Sequence, residues 1–355
     1  MDKREETRQS LIEHYQTYPK LQIGDILKFL YQSSFGCEHL LSDPSAAVGY
    51  IREEAARCHP HVGEWIEPLD GEYCRVHLDY LGDGLSAETF GKLFFLSAEH
   101  NANGRELLEE KISVMLELSR EGVLPFSEEE ARDAVEKWRK DGYPACHHSD
   151  RFRDTYFPAY RVIKKEYALF LPLLARIDPM LAQGRVTLAI EGGSASGKTT
   201  LGKLLEQVYG CAVFHMDDFF LRPEQRTPER FAEPGGNVDR ERFLTEVLLP
   251  LSKNEQIRYS RFDCSTFTLL PATTVMPTNL NVVEGAYSMH PDLAEYYDLS
   301  VFLDISPAQQ EKRIRKRNSP ELAERFFSEW IPMERRYFDI MNVKERCDIQ
   351  ISIRE

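Results

Sequence analysis

Between positions 192 and 199 the chain reads Gly-Gly-Ser-Ala-Ser-Gly-Lys-Thr. A glycine, four residues and then Gly-Lys-Thr is a spacing that wraps successive backbone N–H groups around phosphate oxygens, because glycine permits the tight curl. The lysine brings a cation to the β- and γ-phosphates, and the threonine hydroxyl suits Mg²⁺. An apolar run over 186–190 precedes the loop, and Leu201, Leu204, Leu205 and Val208 follow at helical spacing. The start of that helix adds partial positive charge at the phosphates. Gly192, Gly193, Ser194, Ala195, Ser196, Gly197, Lys198, Thr199 and Thr200 are therefore the expected ATP-binding residues. The plainer alternative, a Gly/Ser-rich turn without a ligand, does not account for the strand before and the helix after.

Moving a phosphoryl group to a hydroxyl needs a positioned base, an acid that organises magnesium, and cations over the transferring group. Asp217 and Asp218 follow the apolar run 212–215, and the carboxyl ends of parallel strands face the ligand crevice. Asp217 is the expected base and Asp218 an expected substrate contact; the bland alternative is a capping or loop aspartate. Glu284 ends another apolar run just before Gly285, so Thr199 and Glu284 are the expected Mg²⁺ ligands. Lys312, Arg313, Arg315, Lys316 and Arg317 crowd one segment. Arg313 and Arg317 are one helical turn apart and are the expected catalytic cations beside Lys198, the rest reading as a solvated face.

The elements that must hold these residues fall into two textures. In the second half, short apolar strands at 186–190, 212–215, 281–283, 300–303 and 349–353 alternate with helical stretches at 199–209, 240–251, 307–317 and 321–341. That alternation predicts an α/β fold, a doubly wound parallel sheet of the P-loop NTPase kind over 185–355. The first half, 1–178, reads as a mostly helical accessory domain. Ser127 is a helix-capping residue followed by acids, 72–81 alternates as a strand, and 159–174 carries apolar residues at helical spacing. Pro179 and Gly184 mark 177–184 as the link between the halves.

Composition bounds the partners. The chain has 355 residues and a formal net charge of −14, so nucleic acid and membrane surfaces are not expected partners, and positive charge should be concentrated where ATP binds. Seven cysteines without a CxxC pair, a charged opening stretch and no long apolar run predict a reduced, cytoplasmic protein, with homo-oligomerisation left open. In the first half, Cys37-Glu-His39, Cys58-His-Pro-His61 and Cys146-His-His148 gather metal-capable types. None has CxxC or HExxH spacing, so ordinary core or surface roles are expected. His147, His148 and Arg151 beside Tyr156 and Tyr160 form a candidate anion or substrate pocket. A regulatory or dimerisation module, a second enzyme and a protein-binding module all remain open for this half.

Over 185–355 the chain resembles the uridine kinase and phosphoribulokinase group of P-loop kinases. The resemblance runs in order through GGSASGKT, MDDFF, Glu233-Pro-Gly-Gly-Asn-Val-Asp239, Arg261-Phe-Asp-Cys264, VVEGAY and FLDISPAQQEKRIRKR. It implies that Asp217 is the catalytic aspartate facing a 5′-hydroxyl and that Asp239 binds ribose hydroxyls. It further implies that Phe262 lies near the nucleoside, and that Arg313 and Arg317 belong to a lid. Phe262 stands where uridine–cytidine kinases place a tyrosine, and Cys264-Ser-Thr-Phe-Thr replaces their histidine-bearing stretch. The resemblance thus implies ATP, Mg²⁺ and transfer chemistry without implying the base.

The expected activity is ATP-dependent phosphorylation of a small metabolite, the 5′-hydroxyl of uridine or cytidine first. Pantothenate, glycerate or sugar-phosphate acceptors, and an ATP-gated switch acting on the first half, are the alternatives.

Overall fold

The computed structural model describes residues 2–37, 44–59, 64–98 and 103–353 and divides into two compact units, Met1–Arg176 and Ile177–Glu355. Among the described residues the first unit is dominated by helices, including Lys3–Thr17, Ile23–Phe35, Ala87–Leu96, Gly104–Arg120 and Glu128–Lys140. Ser127 caps the last of these in a reciprocal box with Glu130, as its sequence predicts.

Three antiparallel strands complete the first unit: β1 (Ile66–Pro68), β2 (Tyr73–His77) and β3 (Tyr160–Lys164), in the order β1-β2-β3. β2 lies within the strand expected over 72–81. β3 corrects the helix expected over 159–174, which instead splits into strand Tyr160–Lys164, a turn of helix Lys165–Ala168 and helix Leu171–Gln183. Tyr160 to Lys164 includes β-branched Val162 and Ile163 and pairs along the whole of β2, from His77↔Tyr160 to Tyr73↔Lys164. Cross-strand pairing outweighs helical spacing here. The segment 177–184, expected as a link, is largely helical, with Pro179 inside Leu171–Gln183. Leu171, Leu173, Leu174 and Ile177 are fully buried there. At roughly 1.5–3 kcal/mol each they outweigh the ~3 kcal/mol that an interior proline costs.

The second unit is built on β4 (Val186–Gly192), β5 (Ala212–His215), β6 (Ile257–Tyr259), β7 (Phe262–Asp263), β8 (Thr268–Leu269), β9 (Thr273–Val275), β10 (Leu280–Glu284), β11 (Leu299–Ile305) and β12 (Ile349–Ile353). β6 pairs with β9 and β7 with β8. The other five form one parallel sheet in the order β12-β11-β4-β10-β5. Every residue of β4 and β10 is buried, which is why these strands read as apolar runs rather than alternating ones. Because β4 is central and later strands are laid on both sides of it, the loops at its carboxyl end open into a crevice. This is the P-loop NTPase arrangement that the alternation of elements predicts.

Two helices expected as uninterrupted contain π segments, Leu244–Leu248 and Phe326–Trp330. Pro250 and Pro332 follow each within a turn and have no N–H to continue the α register.

Candidate active site

β4 runs directly into the phosphate-loop sequence. Gly192 and Gly197 take φ of 149° and 102°, and Ala195 takes 63°, so the chain turns through left-handed conformations. A Cβ at Gly192 would meet the Leu303 carbonyl oxygen at 2.6 Å, so only glycine fits against β11. Lys198 opens helix Lys198–Tyr209, and its Nζ donates to the Gly192 and Gly193 carbonyls at 2.8 and 3.0 Å. Ser194, Ser196 and Thr200 lie on the same loop and first turn.

At the neighbouring strand end, the Thr199 hydroxyl donates to Glu284 Oε1 at 3.0 Å, and His215 Nδ1 meets the same oxygen at 2.6 Å. Burial alone would raise the Glu284 carboxyl, but the bond from His215 and the charge of Lys198 outweigh it and hold it below its ordinary value. The Glu284 bond in turn raises the His215 imidazole. A hydroxyl and an ionised carboxylate side by side are hard oxygen donors of the kind Mg²⁺ takes, so these two residues fit that ion.

Asp217 stands just past β5, in the short turn Met216–Phe219. Its side chain is open to solvent yet enclosed by protein on most sides, as on the floor of a crevice. That enclosure raises its carboxyl above the usual range, while Lys198 pulls it down, Glu284 pushes it up, and His215 and Arg317 pull it down. Those four groups therefore act on one carboxylate although they come from separate elements. Lys198, Glu284, Asp217 and Arg317 are thus brought together at the same end of the sheet.

Asp239 is buried and caps helix Arg240–Phe243 by accepting from the Arg242 N–H at 3.2 Å. Its backbone N–H donates to the Phe219 carbonyl at 2.7 Å, and Val238 bridges to Phe220, which lays the 237–239 segment along the Asp217–Asp218 turn. Asp218 Oδ2, Asn237 Oδ1 and Asp239 Oδ2 are buried oxygens with no hydrogen-bond partner among the described residues. Buried acceptors without donors are costly, and hydroxyl groups would satisfy them. Phe262 is buried on the β7–β8 hairpin, with the Arg226 guanidinium 5.6 Å from its ring. The Asp217 charge reaches Cys264 on the same hairpin.

Several site residues carried no sequence signal. Glu334, on helix Ile331–Ile340, accepts from the Ser194 N–H at 2.9 Å and from its hydroxyl at 2.6 Å, and burial raises its carboxyl. Gln310 donates to the Ser194 carbonyl at 2.9 Å. Glu191, fully buried, accepts from the N–H groups of Gly192 and Met289 at 2.9 and 3.0 Å and from the Tyr337 hydroxyl at 3.2 Å, with burial pushing its carboxyl up to about 7. Arg313 Nη1 donates to the Ala195 carbonyl at 3.1 Å, whereas the Arg317 guanidinium lies 5.3 Å from the Phe326 ring. The contiguous loop is readable from its letters; Glu334, Gln310 and His215 are joined to it only by folding.

In the first unit, Glu38, His39, Pro60 and His61 lie outside the described residues. Cys37 is buried with its thiol on the Phe94 carbonyl, and the Cys146 thiol points at the Pro144 carbonyl. Among the described residues no three His, Cys, Asp or Glu side chains are grouped to hold a metal ion. No described helix is long and apolar enough to cross a membrane.

No protein-family model matches the chain. Among solved structures, one described as a possible uridine kinase from Bacillus stearothermophilus is 24% identical, with a TM-score of 0.38, covering 51% of this chain and 99% of that one. A shikimate kinase from Bacteroides thetaiotaomicron is 17% identical with a TM-score of 0.27, over 47% of this chain and 86% of that one. A deoxyadenosine kinase from M. mycoides is 15% identical with a TM-score of 0.23, over 47% of this chain and 90% of that one. These likenesses are weak, and the fold stands on the strand order and the phosphate loop themselves.

Proposed function

We propose that residues 185–355 form an ATP-dependent kinase that transfers the γ-phosphoryl group to a hydroxyl of a small metabolite, the 5′-hydroxyl of a nucleoside such as uridine or cytidine. The observation that carries this reading is the loop 192–199 at the end of β4, with Thr199 bonded to the Glu284 carboxylate at the end of β10 and Asp217 just past β5 at the same end of the sheet. The loop N–H groups and Lys198 hold the ATP phosphates. Thr199 and Glu284 hold Mg²⁺, which when bound neutralises phosphate charge. Asp217 accepts the proton of the attacking hydroxyl. Its carboxyl, raised first by burial, is a better proton acceptor than an ordinary aspartate. Arg313 and Arg317 stand ready to balance charge on the transferring phosphoryl.

On the acceptor side, the buried oxygens of Asp218 and Asn237 without hydrogen bonds, beside Asp239, whose Oδ2 has only the Arg242 and Arg222 guanidiniums at 3.5 and 3.8 Å, favour a hydroxyl-rich molecule over an anionic one. A ribose diol has that chemistry, and the buried Phe262 offers an apolar contact for a base. The test is acceptor-dependent ADP release with MgATP across nucleosides, pantothenate, glycerate and sugar phosphates, with product mass read out. Turnover with a nucleoside supports the reading. Turnover only with an anionic acceptor removes the nucleoside, and ATP binding without any turnover removes the kinase.

A further inference from the structure

The first unit holds a second concave site. On one face of its sheet, Glu67 of β1 lies opposite Arg75 of β2, and His77 of β2 opposite Tyr160 of β3. Arg75 is fully buried. Its Nη1 donates to Glu67 at 3.0 Å, its Nε and Nη2 donate to Gln32 Oε1 at 3.0 and 2.8 Å, and its guanidinium lies 4.7 Å from the Tyr160 ring centre. Glu67 also accepts from the Tyr18 hydroxyl at 3.1 Å and lies 3.3 Å from His14 Nδ1. Behind Tyr160, its hydroxyl meets His148 Nε2 at 2.6 Å, and His148 Nδ1 meets Asp25 at 3.0 Å.

This network is not sealed. Tyr18, Glu67, Arg75, His77 and Tyr160 wall a cavity of about 440 Å³, within the range of small-molecule pockets. A buried ion pair is a poor stabilising device compared with apolar packing, so a charged cluster opening into such a cavity points to recognition. Arg75 directs its donors at Glu67 and Gln32 and is not free to clamp an anion. The other charged lining groups, Glu64, Glu67 and Asp79, are carboxylates. His147 and Arg151, the cationic part of the candidate anion or substrate pocket, are exposed and do not line the cavity. Phe152, Tyr156 and Phe157 add an aromatic part to the remaining wall.

Phe157 supplies an independent observation. It ends helix Asp150–Tyr156 at φ 47°, its N–H on the Arg153 carbonyl at 3.0 Å, in the left-handed position where glycine is the natural choice. A bulky side chain there is an outlier. Phe157 is nonetheless 54% exposed, and its ring lies 4.6 Å from the His59 ring at the cavity wall. Neither helix termination nor core packing calls for that ring.

We infer that the first unit binds a small flat-ringed molecule bearing N–H donors, neutral or cationic, with its donors on the Glu67 carboxylate and its ring against Phe157 and Tyr156. The shared chemistry has two sources, an aromatic amidine or amine and an amino-bearing nucleoside.

Calorimetric titration of the full chain separates them, using benzamidine, adenosine and cytidine as probes and benzoate as the anionic control. Glu67→Gln strips Arg75 of its counter-charge and endangers the fold, so Phe157→Gly is the deciding variant. Saturable binding of benzamidine or of an amino nucleoside is expected, at least tenfold weaker in Phe157→Gly. That variant should melt no lower than the parent. Binding should persist in Asp239→Asn, which alters only the second unit's site. Benzamidine alone binding identifies a cationic ligand, and a nucleoside that binds in Asp239→Asn and is lost in Phe157→Gly identifies the neutral class. Preference for benzoate, loss of binding in Asp239→Asn with retention in Phe157→Gly, or no binding at millimolar probe would each overturn the inference. ADP release is scored separately, so failure of the kinase reading leaves this result untouched.

Discussion

The Thr199 hydroxyl and the Glu284 carboxylate are joined by a 3.0 Å hydrogen bond between the first helical turn after the phosphate loop and the end of β10. Two oxygen donors so placed, with His215 on the same carboxylate oxygen, are the pair proposed to hold Mg²⁺. Glu284→Gln keeps the shape and removes the charge. Turnover should fall by about 100-fold or more, with the Mg²⁺ dependence shifted to higher concentration. Magnesium titrations of activity check this, and an unchanged midpoint would remove Glu284 from the metal site.

Lys198, Glu284, His215 and Arg317 all act on the Asp217 carboxylate. If it takes the acceptor's proton, Asp217→Asn should lower kcat by roughly 10²–10⁴-fold, the usual worth of a general base. Affinity for ATP should change little, because the loop N–H groups and Lys198 are untouched. Parallel nucleotide-binding and ADP-release measurements decide it: full turnover in the variant means that another group is the base.

How much of this was legible depends on how local the information is. The phosphate loop is a contiguous run whose letters encode its own backbone, down to the glycines at 192 and 197, and the apolar runs announced a parallel sheet. Glu334 could not be read in the same way. It reaches Ser194 from 140 positions away, and nothing in its neighbourhood distinguishes it from a surface acid. Glu67 and Arg75 meet through strand register, and β3 pairs with β2 across the helices that separate them in the chain. The misread stretch 159–174 has the same origin: its apolar spacing satisfies a helix, and only the partner strand settles its first five residues.

Glu334 places a buried carboxylate on the loop whose N–H groups are proposed to meet phosphate. Its carboxyl is raised by burial first and lowered by Lys198, so its negative charge is already strained. Glu334→Gln removes that charge beside the polyphosphate and retains an oxygen for the Ser194 N–H. ATP should bind several-fold more tightly at neutral pH, as direct titration would show. Weaker binding would instead make the carboxylate a support that holds the loop in shape.

His290 offers a pH test away from the reacting groups. Its Nδ1 accepts the Asp292 N–H at 3.2 Å, capping helix Pro291–Ala294, which requires the neutral ring. Burial first, then Arg240 and Arg230, press its pKa down to about 4, against the raising effect of Asp292 and Glu241. The folded value lies below the unfolded 6.5. The stabilisation is therefore intact above pH 6.5 and is lost as pH falls through 6.5 toward 4. His290→Asn keeps a capping oxygen and cannot titrate. Its unfolding free energy, read from denaturant titrations, should fall less steeply than the parent's over that window, by no more than about 2 kcal/mol after allowing for solvent screening. Identical slopes would show that His290 does not couple to folding.

Gly236 tests where the acceptor lies. A Cβ there would sit 1.8 Å from the Arg230 carbonyl oxygen and 3.0 Å from that of Glu233, both backbone atoms that cannot rotate away. The turn is pinned further by Arg230, whose Nε donates to the Gly236 carbonyl at 3.0 Å and whose Nη2 donates to the Val238 carbonyl at 2.8 Å. Gly236→Ala must therefore push the turn outward and carry Asn237 and Asp239 with it. Stability should drop by roughly 1–3 kcal/mol, the range for steric and backbone clashes. The acceptor KM should rise at least tenfold, while ATP affinity stays near the parent's because the loop 192–199 is separate in sequence and bonding. Steady-state kinetics in both substrates distinguish the outcomes. An unchanged acceptor KM with weakened ATP binding would place the acceptor away from Asp239 and move this turn to the nucleotide side of the crevice.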